Sequence, residues 1–105
     1  MKADREKIEN ALQEMVRQLR SLGAKRILLF GSLARGEIRI ASDLDLIALF
    51  DDNLNFKERM KFVYNNIEPP VDVDILAYSF KEFERLKDRP FFRHILSYAK
   101  VVYDE

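Results

Sequence analysis

The chain has 105 residues, 18 basic and 18 acidic, so its formal net charge is zero. That length fits one domain with a modest core, and the balanced charge gives no global attraction to a nucleic-acid polymer. The lack of cysteine excludes disulfides and thiolate metal sites and fits a reducing cytoplasm, while no apolar run approaches the ~20 residues that span a bilayer.

The N-terminal residues also lack the apolar core of a signal peptide, which makes a soluble cytoplasmic protein the expectation. Along the chain, Ile8, Ala11, Leu12, Met15, Val16, Leu19 and Leu22 recur at helical spacing and predict a helix over 4–22, stopped by Gly23. Arg26 to Phe30 is a run of strand length, and Gly31-Ser32 turns it into a short helix. Residues 43–50 read as a buried strand. Asn55 with Glu58 predicts a capping box for a helix reaching about Ile67, with Phe56, Met60, Val63 and Ile67 inward and Pro69-Pro70 beyond it.

Val71 to Leu76 predicts a third strand, and Ser79 with Glu82 a second capping box for a helix carrying Phe83 and Leu86 on its apolar side. Asp88 and Pro90 open a last helix to about Ala99, ahead of a short strand at Val101 to Tyr103. Helical and strand segments alternate with short connections and no repeat or linker. One α/β (α+β) domain over 1–105 is therefore expected, its sheet flanked by helices.

The chemistry concentrates in Gly31-Ser32-Leu33-Ala34-Arg35-Gly36 and Ser42-Asp43-Leu44-Asp45-Leu46. A glycine turn that opens a helix offers backbone N–H groups to phosphate oxygens, and the Ser32 hydroxyl adds a donor. Positions i and i+2 of a strand share a face, so Asp43 and Asp45 project together while Leu44 and Leu46 face the core. Two adjacent carboxylates repel, and a hard divalent cation such as Mg²⁺ resolves the conflict. Asp72 and Asp74 repeat the pattern on the third strand, either one placed to join them. The turn is not a P-loop, because no GxxxxGK[ST] pattern starts at Gly31.

Gly31-Ser32, ten intervening residues and Asp43-Leu44-Asp45 together resemble the signature of the DNA polymerase beta-like nucleotidyltransferase superfamily. In a chain this short the resemblance is to the minimal nucleotidyltransferases, and Ala34, Arg35, Gly36, Ser42 and Leu46 fit the fuller form GSxARGxxxxxSDxDL. It implies a polymerase beta palm-like fold with a small mixed sheet, and Mg²⁺-dependent transfer of AMP from ATP to a hydroxyl. Asp43, Asp45 and Asp74 would hold two Mg²⁺ ions, with Asp72 the alternative third acid, and Gly31, Ser32, Arg35 and Ser42 would contact the nucleotide. Larger relatives carry a second domain for nucleotide and acceptor. Minimal ones are often paired with a HEPN-type toxin encoded nearby and act as antitoxins by attaching AMP to it. The rival readings are transfer to a small hydroxylated molecule, or a non-catalytic module that neutralises its partner by contact; a homo-oligomer is compatible with either.

His94, the single histidine, has no second histidine or cysteine to complete a zinc site and is expected on a helix surface. Phe80, Phe83, Phe91 and Phe92 are expected in the core, although adjacent phenylalanines on a helix cannot share one core line, which leaves one exposed. Arg39 has no assigned role.

Overall fold

The computed structural model describes residues 2–37 and 44–105. Within them run α1 (Lys2–Ser21), β1 (Ala24–Phe30), α2 (Gly31–Ala34), β2 (Leu44–Phe50), α3 (Phe56–Asn65), β3 (Val73–Ser79), α4 (Phe80–Leu86), α5 (Pro90–Leu96) and β4 (Lys100–Asp104). The order matches the sequence-based expectation. The four strands form one sheet in the order β3-β2-β1-β4. β1 is antiparallel to β2 and β4, while β2 and β3 are parallel, so the sheet is mixed. A parallel pair needs a crossover, and α3 supplies it.

Both faces of the sheet are covered. On one, Ile27, Leu29, Leu44, Leu46, Ala48 and Phe50 pack against Ala11, Met15 and Leu19 of α1 and against Val63 and Ile67. On the other, Leu28, Ile47, Leu49 and Tyr78 meet Phe92 and Ile95 of α5, with Phe83 and Leu86 of α4 at the margin. β2 is consequently buried at every position except one: Asp45 is half-buried. A strand covered on both faces is expected to be apolar throughout, and a carboxylate in such a strand needs a reason.

The helix ends follow local chemistry. Gly23 takes φ +110°, the left-handed region that ends α1 after Ser21. Asn55 with Glu58, and Ser79 with Glu82, form the two capping boxes in full. Pro90 occupies the first turn of α5 behind Arg89, so Asp88 lies outside that helix, which ends at Leu96 rather than near Ala99. β3 starts two residues later than expected and runs on to Ser79, because its ladder with β2 pairs Val73 with Leu44 and ends on Ser79 opposite Phe50.

One inward assignment fails. Phe56 is 38% exposed and stacks on Tyr78 at 5.1 Å, while Arg59 is fully buried. Arg59 lies one turn before Val63 and carries the charge that ties α3 to the loop after β2 and to α4. Phe92 is buried and Phe91 is 60% exposed, the split that their adjacency requires.

Candidate active site

β1 ends at Phe30 in extended conformation, and the chain reverses through Gly31 at φ +74° into the single turn of α2. Leu33 and Ala34 are buried in the first core and anchor that turn. The peptide N–H groups of Arg35 and Glu37 both donate to the Ser32 carbonyl, at 3.1 and 3.0 Å, and that of Gly36 to the Leu33 carbonyl at 3.1 Å. Gly36 takes φ +82° and closes the loop. Ser32 is half-buried, and Arg35 is exposed at the end of the turn.

Register then brings the acid residues to this turn. Asp45 lies opposite Phe30 across the antiparallel pair and opposite Asp74 across the parallel pair. Alternation along β2 and β3 puts Asp45 and Asp74 on the face that carries Ile47, Leu49 and Tyr78, at the end of it nearest the Gly31 turn. A Cβ built on Gly31 would lie 2.9 Å from the Asp45 Cγ and overlap its carboxylate. Only glycine fits there, on two counts: the positive φ and the carboxylate seated against its backbone.

Asp74 is exposed beside Asp45. Asp72 is exposed and precedes β3, and its carbonyl accepts from the Leu44 N–H at 3.0 Å. Ser42 and Asp43, the remaining expected members, lie outside the described residues, as does Arg39. Among the described residues no three His, Cys, Asp or Glu side chains stand together as a metal-holding group. Of the expected acids, Asp45 and Asp74 are set opposite each other across β2 and β3.

The sequence pattern of the nucleotidyltransferase domain matches residues 6–102, nearly the whole chain. The chain belongs to this nucleotidyltransferase family, within the polymerase beta-like superfamily. In fold, the nucleotidyltransferase domain is similar to a presumed nucleotidyltransferase from Sulfolobus solfataricus, known from a crystal structure at 1.40 Å resolution. The TM-score is 0.62 and the identity 23%, over 94% of this chain and 87% of that one; at this identity the likeness speaks for the fold. No curated protein matches the chain.

Two features of the domain were not read from its sequence. His94 is exposed on α5 as expected, but its ring meets Arg35 of the motif turn, and Tyr98 lies under the same guanidinium. Nothing in the spacing links positions 35, 94 and 98. The burial of Arg59 did leave a signal, since it stands four residues before Val63 on the apolar line of α3. Among the described residues no helix is long and apolar enough to cross a membrane.

Proposed function

We propose that this domain catalyses Mg²⁺-dependent transfer of AMP from ATP to a hydroxyl acceptor on a partner protein. The observation that carries the reading is the seat of the Asp45 carboxylate against the side-chain-free backbone of Gly31, with Asp74 next to it on β3. Adjacent carboxylate oxygens are hard ligands, the donor chemistry that suits Mg²⁺. Asp43, Asp45 and Asp74 would hold two Mg²⁺ ions, with Asp74 as the third acid because it is the one set opposite Asp45. Bound there, Mg²⁺ supplies charge neutralisation at the attacking and leaving oxygens of the transfer.

The chain's own residues do the rest by position. The turn from Gly31 to Gly36 lets the triphosphate approach the backbone, with the Ser32 hydroxyl as a further donor, and Arg35 supplies a cation at its end. Asp74 stands on the solvent-exposed side of the pair, where an acceptor hydroxyl would enter and could hand over its proton. Ser42 would complete the nucleotide contacts. Fixing the nucleotide on a rigid turn converts a two-body encounter into an oriented one.

The motif resemblance supports an antitoxin-type role in the cytoplasm, with a HEPN-type protein encoded nearby as acceptor. The test is intact-mass analysis of that neighbour after incubation with the domain, ATP and Mg²⁺, beside a D43N/D45N double variant. Added AMP with the wild type alone is the expected result. A stable complex from both versions with no mass change would replace this reading with neutralisation by contact.

A further inference from the structure

The motif arginine is held by residues from the other end of the chain. The Arg35 guanidinium carbon lies 4.2 Å from the centre of the Tyr98 ring, and its Nη2 is 3.2 Å from His94 Nε2. The His94 ring in turn meets Tyr98 edge-on, at 5.6 Å and 72° between planes. An arginine has only donors and stays protonated, so His94 Nε2 must accept, which puts the imidazole proton on Nδ1.

This bracket has a firm base. Phe92 and Ile95, on either side of His94, are buried in the second core, and Tyr98 packs against both cores. The Arg35 stem, by contrast, is long and exposed, and ordering such a side chain costs much of its rotamer freedom. A guanidinium already fixed before the ligand arrives avoids that cost at the moment of binding.

We propose that His94 and Tyr98 are positioning residues for Arg35. They set the direction of its guanidinium at the end of the Gly31–Gly36 turn, so that its remaining donors are ordered for an anionic oxygen of the nucleotide. The proposal rests on the reading of Arg35 as a nucleotide contact. α5 thereby becomes part of the nucleotide site without touching the nucleotide.

The lone histidine makes the test direct, since every imidazole ¹⁵N signal of the chain belongs to His94. The wild type should show the Nδ1–H tautomer, and R35A should lose that preference. In calorimetric titration with ATP and Mg²⁺, H94F should weaken binding about tenfold, the lower end of the scale of one lost hydrogen bond to a charged group. H94Q, whose side-chain carbonyl can accept in place of Nε2, should recover most of that loss. H94F added to R35A should weaken binding no further than R35A alone. An Nε2–H tautomer in the wild type, or H94F binding as tightly as wild type while R35A binds weakly, would overturn the proposal and leave the nucleotide reading intact. Absence of ATP binding by the wild type would overturn both.

Discussion

Just beyond the C-terminal ends of β2 and β3, Asp52 and Glu82 converge on Arg59; near the N-terminal ends of the same strands, Asp45 and Asp74 stand beside each other. The first group is closed. Arg59 is fully buried, binds Asp52 through Nε and Nη2 at 3.1 and 2.8 Å, and donates to the carbonyls of Leu54 and Ala77 and to Glu82. Each acid there has a fixed cationic partner, and the group joins the loop after β2, α3 and α4. At the other end two like charges face each other across one strand spacing, grade out to solvent, and abut a glycine that leaves them room. Like charges opposite one another weaken a sheet. The same pair of strands therefore carries a closed group around a buried cation at one end and, at the other, a pair of acids beside the motif turn, which is the candidate site.

Removing a charge at each end should separate the two. Asp45→Asn removes the charge seated against Gly31, so we expect loss of transfer by roughly two to three orders of magnitude, the scale of losing a preorganised charge, with the fold retained. Full turnover by this variant would remove Asp45 from the metal site. Arg59→Met does the reverse. It strands Asp52 and Glu82 and should cost about 3 kcal/mol in chemical denaturation, while leaving Mg²⁺-dependent ATP binding per folded molecule unchanged.

How much of this could be read in the sequence follows from the range of the interactions. The helices, their caps and the succession of elements along the chain rest on local periodicity and short motifs, and Asn55, Ser79 and Gly23 do in the structure what their neighbours imply, whereas the strand order in the sheet rests on long-range pairing. Gly31 and Asp45 were nominated by a motif, but the contact between them depends on the β1–β2 register, which no local pattern states. Alternation alone puts Asp72 and Asp74 on one face, and only the family resemblance favours Asp74. Pairing begins at Val73, so only Asp74 is set opposite Asp45. Phe56 lies outside the core because the inward line of α3 is not wholly apolar: four acceptor groups, from Asp52, Leu54, Ala77 and Glu82, make a buried Arg59 tolerable there.

Acid titration sharpens the comparison further. The hydrogen bonds from Arg59 hold the Asp52 carboxyl below the usual carboxylate range, against a smaller upward pull from partial burial. A carboxyl depressed in the folded state adds stability above its unfolded pKa, about 3.9, and that stability is lost as the pH falls through the lower folded value. Stability of the wild type should therefore drop below about pH 4 more steeply than that of Asp52→Asn, measured by denaturation at successive pH values. Parallel acid limbs would mean that the buried guanidinium does not depend on Asp52.

The smallest expected effect distinguishes the two capping boxes. In each, the cap side chain accepts from the N3 peptide group, Asn55 from Glu58 at 2.8 Å and Ser79 from Glu82 at 3.1 Å. Loss of either cap should cost about 1 kcal/mol on its own account. The boxes differ in what their glutamates do next. Glu58 is exposed and only returns to the Asn55 N–H, whereas the same Glu82 oxygen that accepts from the Ser79 N–H also accepts from Arg59. Ser79→Ala should therefore cost more than Asn55→Ala in the wild-type background, and the excess should vanish when both are compared in Arg59→Met. Equal costs in both backgrounds would show that Glu82 is held by α4 itself, and that the cap and the buried ion pairs are independent parts of the closed end.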